Sequence, residues 1–404
     1  MTTLERPVEG VGRAARPSLL GRGTAAVLER LLPGIEGGTL VVRLPDGSER
    51  RYGAGPEVAM TIDDPRLFAR IARSPRFALG ESYQAGEWRT DDLVGVLELL
   101  LRNADAARTR HPILRRFAEL APRVNRRNGI FAARRNIAAH YDVGNELFAL
   151  FLDETMTYSC AIFEREDEPL EVAQRRKLRR VCEKLELGPD DHVLEIGCGW
   201  GSFALMAAGE YGARVSAVTI SRAQAELARR RIADAGLADR IEVVERDFRE
   251  LEGTYTKMAS VEMLEAPGEQ LWRPFFEVCD ARLAEGGIAC VQTILCPDER
   301  MARYRRNPDW IGRHIFPGSL IPSRAALRDA MAATRLRVRD DEEIGHHYAP
   351  TLHRWRQAFR SRLGDVRALG YDERFVRTWD FYLGACEALF RAGQFRDGQL
   401  VLTR

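Results

Sequence analysis

The stretch Val193-Leu194-Glu195-Ile196-Gly197-Cys198-Gly199-Trp200-Gly201 decides the fold. An apolar run of strand type enters three glycines at alternate positions, and a helical pattern, Phe203–Glu210, follows. Glycine at the carboxyl end of a strand lets the backbone turn tightly and approach a ligand closely. The spacing is G-x-G-x-G and differs from the G-x-G-x-x-G of dinucleotide binders. Working outward, Arg214–Val218, Ile241–Glu245, Lys257–Val261 and Gly287–Ile294 read as further short strands, with a helix over Ser221–Ala235. Strands alternating with helices predict an α/β fold with a doubly wound parallel sheet.

The 404 residues are long for one domain and short for three. Ahead of the α/β part, Thr39–Leu44 and Glu49–Tyr52 flank the turn Pro45-Asp46-Gly47, and Pro65–Arg73 and Asp91–Arg102 read as amphipathic helices. The expected organisation is a small α+β domain over 1–125, a basic linker over 126–136 and the α/β domain over 137–404.

Hydrophobic residues make up 45% and charged residues 30%, which excludes a disordered chain, a collagen or a disulfide scaffold. The formal net charge of +2 argues against a nucleic-acid binder. That small total hides an asymmetry. Residues 101–136 hold ten arginines against Asp105 and Glu119, so this segment is +8 and the remainder −6. A solvated linker would look like this, and so would an electrostatic foot for anionic lipid, where each basic residue contributes about 1 kcal/mol. Only Lys177, Lys184 and Lys257 are lysines among the 61 basic residues. GC-rich coding produces such a bias, and arginine's planar fork also suits phosphate headgroups. The seven cysteines form no C-x-x-C pair, and Cys290 and Cys296 lack ligand-spaced partners, so no metal site is expected. No signal peptide is expected from MTTLERPVEG, and no stretch reaches the roughly 20 apolar residues of a bilayer span.

Several residues sit where strand tips should meet a ligand. The second strand ends Val218-Thr219-Ile220-Ser221 with Gln224 one turn on, and no acid stands there for ribose hydroxyls. Arg246-Asp247-Phe248 follows the third strand, although Asp247 would also serve as a helix cap. Glu195 before the glycines, together with their spacing, resembles the first motif of Rossmann-like class I S-adenosylmethionine methyltransferases.

Other phrases narrow the resemblance. They are His140-Tyr141-Asp142-Val143-Gly144-Asn145-Glu146-Leu147-Phe148, Thr155-Met156-Thr157-Tyr158-Ser159-Cys160-Ala161, Ser260-Val261-Glu262-Met263-Leu264-Glu265, Ile315-Phe316-Pro317-Gly318, His347-Tyr348 and Tyr382-Leu383-Gly384-Ala385-Cys386. With Gly80-Glu81-Ser82-Tyr83-Gln84-Ala85-Gly86-Glu87-Trp88 upstream, residues 65–404 resemble the cyclopropane-fatty-acid synthase family. The resemblance implies methyl transfer from S-adenosyl-L-methionine to the cis double bond of an acyl chain in a membrane phospholipid. It implies cofactor contacts at Tyr141, Ser159, Gly197, Cys198, Gly199, Thr219, Ile220, Gln224, Arg246 and Asp247. It implies a reaction pocket at Cys160, Glu265, Ile294 and Tyr348, which holds bicarbonate in cyclopropane-forming members. A homodimer is also implied.

Such chemistry leaves a carbocation beside the new C–C bond, so water must be excluded and a base must remove a proton. Aromatic faces and a carboxylate can stabilise the cation. Glu265 and Tyr348 are the expected catalytic carboxylate–phenol pair, with Cys160 and Gln292 completing the pocket. Two positions depart from the cyclopropane pattern: Ala266 follows Glu265 where histidine is common, and Gln292-Thr293-Ile294 replaces His-Thr-Ile. Gln cannot titrate near neutrality but can still donate to an anion, which leaves bicarbonate open as a ligand. The combination resembles an actinobacterial branch that makes the 10-methylene precursor of 10-methylstearic (tuberculostearic) acid from oleoyl phospholipid, with a flavin-dependent reductase acting next. The expected enzyme is cytoplasmic and peripheral on the inner face of the plasma membrane. The competing readings are cyclopropane formation, a small-molecule or RNA methyltransferase, and a non-catalytic binding module. Cys386 reads as core, and His314, His346, His347 and His353 read as local hydrogen-bonding residues.

Overall fold

The structure, a computed structural model, describes residues 28–29, 32, 34–110, 144–307 and 309–404, the side chains of 105–110 excepted. Tyr141, the linker 126–136, the boundary at 125 and most of the arginine-rich segment lie outside the described residues.

Within the described residues, the first part comprises β1 (Gly38–Arg43), β2 (Glu49–Ala54), β3 (Glu57–Ile62), α1 (Arg66–Arg73), α2 (Pro75–Gln84), β4 (Trp88–Arg89) and α3 (Leu93–Arg110). Its sheet has the order β2-β1-β3-β4. The expected hairpin forms, with Gly38 opposite Ala54 and Arg43 opposite Glu49. β3 was not anticipated and pairs parallel to β1, which puts Leu40, Val42, Met60 and Ile62 in the core.

The second part begins with α4 (Asn145–Phe151) and α5 (Leu170–Lys184). Next come β5 (His192–Ile196), α6 (Ser202–Tyr211), β6 (Arg214–Thr219), α7 (Arg222–Asp234), β7 (Ile241–Glu245) and β8 (Tyr255–Val261). α8 (Trp272–Arg282), β9 (Leu283–Leu295), α9 (Asp298–Arg306), α10 (Trp310–His314), α11 (Arg324–Met331) and β10 (Arg337–Glu343) follow. The chain closes with α12 (Tyr348–Ser361), α13 (Leu363–Ala368), α14 (Glu373–Arg391) and β11 (Arg396–Thr403). The seven-stranded sheet runs β10-β11-β9-β8-β5-β6-β7. β5 to β9 are mutually parallel, and β11 enters antiparallel to β9. β5 lies centrally, covered on both faces, and this is why, past His192, it reads as an apolar run broken by Glu195 alone. β10 is an exposed edge, and its Asp340-Asp341-Glu342-Glu343 run guards that edge against further pairing. Its charge also hid it from a reading based on hydrophobic alternation.

One apolar cluster runs from Leu40, Ile62 and Trp88 through Phe148 to Trp355, Phe359 and Trp379, and so spans both parts. Full burial of each such side chain contributes about 1.5–3 kcal/mol. Polar contacts fix the register of the junction. Tyr83 Oη donates to Asp380 Oδ2 at 2.8 Å, and Arg356 Nε donates to Asp380 Oδ1 at 2.8 Å. Gly80 is required where α2 meets α10, since a Cβ there would come within 2.5 Å of Trp310.

Candidate active site

At the tip of β5 the backbone of Gly197 has φ +87, and a Cβ there would lie 2.6 Å from Met263 Cγ. Gly199 has φ +52 and open space where its Cβ would be. These glycines floor a cavity of about 1110 Å³, counted with its open mouth. Ser159, Cys198, Thr219, Ile220, Gln224, Arg246 and Asp247 line it, so the structure brings together the expected cofactor residues that it describes. Thr219 Oγ1 donates to Gln224 Oε1 at 2.9 Å, which orients the amide. Asp247 caps the turn after β7 and is paired with Arg249, so the cap reading and the site reading both hold for its position.

Two buried charged groups in this wall received no role from the sequence. Lys177 reaches in from α5, and its Nζ donates to Ser159 Oγ at 2.6 Å. Burial pushes its ammonium down, against the pull of Glu262 and other nearby acids. Glu195 Oε2 is buried without a hydrogen-bond partner, and burial pushes this carboxyl up to about 8. A glycine cradle with free space and an orphaned carboxyl oxygen suit a ligand that carries its own hydrogen-bond donors and positive charge.

A second cavity of about 1130 Å³ lies beyond β8. Its lining is largely apolar, with Ile294, Phe316, Ile321, Leu352, Leu389 and Phe390 among the residues. Cys386 faces this cavity, so it is not simply core packing. Tyr158, Glu262 and Ala266 line both cavities and form the wall between them.

The wall corrects the expected pairing of Glu265 with Tyr348. Tyr348 Oη donates to Glu262 Oε2 at 2.5 Å, not to Glu265. Glu262 Oε1 accepts from the Cys160 backbone N–H at 2.8 Å and from Gln292 Nε2 at 2.8 Å. Cys160, Gln292 and Tyr348 therefore do converge, but on Glu262. Cys160 contributes its backbone; burial pushes its thiol far up, so it is not a ready thiolate. Glu265 Oε1 instead accepts from Thr293 Oγ1 at 2.8 Å and from the Ile294 N–H at 2.5 Å, while its Oε2 has no partner. Burial, then the neighbouring Glu262, pushes Glu265 up to about 8.

Asp397, from β11, completes a group of three carboxyls, with Glu265 and Asp397 buried and Glu262 half-buried. Gln292 Nε2 lies 3.3 Å from its Oδ2, and Gln399 Nε2 donates to Gln292 Oε1 at 3.0 Å. Burial first and Glu262 second push the Asp397 carboxyl far up. β11 supplies these residues because it pairs with β9, Gln399 facing Gln292. No local sequence pattern links positions 292 and 397. Glu262 was more accessible to reasoning, since two carboxylates three residues apart at a strand end are a visible signal.

The histidines remain local. His347 Nδ1 accepts the Phe163 N–H at 3.3 Å, and burial pushes its imidazole down to about 4. His353 meets Glu387, and His314 meets Glu81.

A parallel sheet with a glycine turn at its first tip and the cofactor wall described above defines a Rossmann-like, S-adenosylmethionine-dependent methyltransferase. The chain belongs to the mycolic acid cyclopropane synthetase family, which matches residues 131–400. Tuberculostearic acid methyltransferase UfaA1 of Mycobacterium tuberculosis is 41% identical over 351 residues, covering 84% of this chain and 81% of that protein. Cyclopropane-fatty-acyl-phospholipid synthase of Escherichia coli is 33% identical over 343 residues, covering 85% and 87%. Among solved structures, mycolic acid cyclopropane synthase CmaA1 complexed with SAH and CTAB superposes with a TM-score of 0.63 at 29% identity, covering 67% of this chain and 98% of that one.

Proposed function

We propose that this enzyme methylates the cis double bond of an oleoyl chain in a membrane phospholipid and releases a 10-methylene acyl chain, the precursor of 10-methylstearic acid. The observation that carries this reading is the shared wall, Tyr158, Glu262 and Ala266, between a glycine-cradled cavity and an apolar one. The likeness to the tuberculostearic acid methyltransferase supports the methylene product.

S-adenosylmethionine, when bound, supplies an electrophilic methyl group. Ser159, Gly197, Cys198, Gly199, Thr219, Ile220, Gln224, Arg246 and Asp247 would hold it, with Glu195 as a further acceptor and Tyr141 as a further contact. The apolar cavity excludes water from the cation that develops on the acyl chain. The Tyr158 ring and the Glu262 carboxylate stand at the junction, where positive charge is best stabilised.

Cyclopropane formation is the second reading, favoured by the likeness to the Escherichia coli synthase. Purified enzyme, labelled S-adenosylmethionine and oleoyl phosphatidylglycerol vesicles, with NMR of the product, separate the two. The products have equal mass, so vinylidene protons support the first reading and ring protons the second. Methylation of RNA or a water-soluble acceptor without vesicles would overturn both.

The arginines of 101–136 would hold the enzyme on an anionic membrane surface, on the inner face of the plasma membrane. Among the described residues no helix is long and apolar enough to cross a membrane. Flotation with anionic vesicles should weaken as salt rises. A flavin-dependent reductase would then saturate the methylene, and the enzyme would work as a homodimer. Bicarbonate remains a candidate ligand of the reaction pocket under the cyclopropane reading.

A further inference from the structure

We propose that Glu262 is the base of this reaction: its carboxylate, built into the chain, takes the proton from the transferred methyl group and leaves no need for a dissolved anion. The inference rests on the methylene-forming reading above.

Three observations converge. The first is position: among the described residues Glu262 is the one carboxylate that lines both cavities, since Glu265 and Asp309 line the apolar cavity and Glu195 and Asp247 the other. The second is hydrogen bonding. The Cys160 N–H, the Gln292 amide and the Tyr348 phenol all donate to Glu262, the pattern expected of an anion. Glu265 and Asp397, both buried beside it, are pushed toward the protonated form, so the cluster need hold only one of the three charges. These donors would otherwise suit a small planar oxyanion, but the Glu262 carboxylate already engages them. The third is backbone. Glu262 has φ +48, a left-handed conformation that costs a residue with a side chain about 1–2 kcal/mol. Strain of this kind persists where the surroundings over-determine it, and it collects at functional sites.

The step balances without an oxidant or reductant. The alkene π pair forms a C–C bond to the sulfonium methyl, and sulfur keeps the pair of the broken S–C bond. A hydride moves from the methylated carbon to the neighbouring cationic carbon, which leaves the cation on the branched carbon. A methyl C–H bond then breaks, its pair becomes the exocyclic C=C bond, and the proton passes to the Glu262 carboxylate. Tyr348, Gln292 and Cys160 act through Glu262 as positioning residues in this scheme.

The test begins with wild-type enzyme in CO2-free buffer, with and without added bicarbonate, on oleoyl phosphatidylglycerol vesicles. Turnover should agree within about twofold. Glu262→Gln, which keeps the shape of the side chain, should lower turnover by about 100-fold or more, within the range for loss of a general base. Its affinity for S-adenosylhomocysteine should stay within about threefold, since the substitution keeps the side chain's shape and leaves the glycine turn untouched. Glu262→Gly relieves the backbone strain and frees the three donors, so millimolar formate or bicarbonate should restore its turnover by about 10-fold or more. Glu262→Gln as active as wild type would overturn the inference, and so would wild-type turnover that collapses without bicarbonate. The bicarbonate comparison decides even if a variant fails to fold. Methylated lipid from wild type with an equally active Glu262→Gln would sink only the base assignment. No methylated lipid from wild type under either condition would sink the lipid reading and the base assignment together.

Discussion

The two cavities have nearly the same volume, about 1110 and 1130 Å³, yet they are built in opposite ways. The cofactor cavity is floored by strand-end turns: the glycines after β5, the Thr219–Ile220 tip and the Arg246–Asp247 tip, each contiguous in sequence. The acyl cavity is assembled from elements far apart in sequence: α4-proximal Tyr158, the end of β9, the segment around Phe316, and helices α12 and α14. A turn is a local property, because glycine conformations and strand ends are set by neighbours in sequence. A side-chain cavity is a property of packing between distant elements. The wall between the cavities partakes of both, and the reaction is assigned to that wall.

The sharpest way to break this contrast is Gly197→Val. The positive φ and the closeness of Met263 should cost S-adenosylhomocysteine binding about 100-fold or more by calorimetry. Affinity within threefold of wild type would mean that the glycine turn is not the cradle.

Tyr348→Phe probes the wall instead. It removes one hydrogen bond to the Glu262 carboxylate and leaves the ring, so turnover should fall about 10- to 100-fold, while cofactor affinity is unchanged. Loss of cofactor binding would show that the wall and the cradle are not separable.

Tyr83→Phe tests the junction between the two parts of the chain. Asp380 keeps Arg356, so the loss should be about 1 kcal/mol of stability, read as a lower denaturation midpoint, with the turnover of the folded enzyme intact. A fall in turnover at full occupancy of the folded state would tie the first sheet to the chemistry.

A last test concerns pH. Glu265 holds a proton up to about 8, whereas an ordinary glutamate has lost it by about 4.5. The folded state thus binds the extra proton, and its stability declines as pH rises through that window and levels off above it. Glu265→Gln cannot ionise, so its melting temperature relative to wild type should climb from pH 5 to pH 8. A flat difference across that range would show that Glu265 is ionised in the fold.

Legibility followed the same division. Each strand read from β5 to β9 lies within its observed span, because apolar runs bounded by glycine and charge are local signals. β3 lies beyond the turn signal that marks the hairpin, and β10 is an exposed edge that is acidic rather than alternating. The residues that line the first cavity after β5, β6 and β7 were legible at three strand tips, while Ser159 came through the family resemblance. At the wall, Cys160, Gln292 and Tyr348 were correctly grouped through the family resemblance, but their common partner was misassigned. Glu265 and Glu262 stand three residues apart, and the tertiary structure, with Glu262 at φ +48, places Glu262 against the phenol.

By itself the sequence determined the five parallel strands β5 to β9, the glycine turn, the class of chemistry and the uneven charge of residues 101–136, since each depends on neighbours along the chain. The tertiary structure alone decided that Glu262 collects the donors and that Lys177 and Glu195 are buried in the cofactor wall. It also decided that Asp397 arrives from the last strand to crowd the cluster. Those facts depend on which distant groups share a low-dielectric space, where burial and neighbouring charge set protonation, and no spacing along a chain encodes that directly.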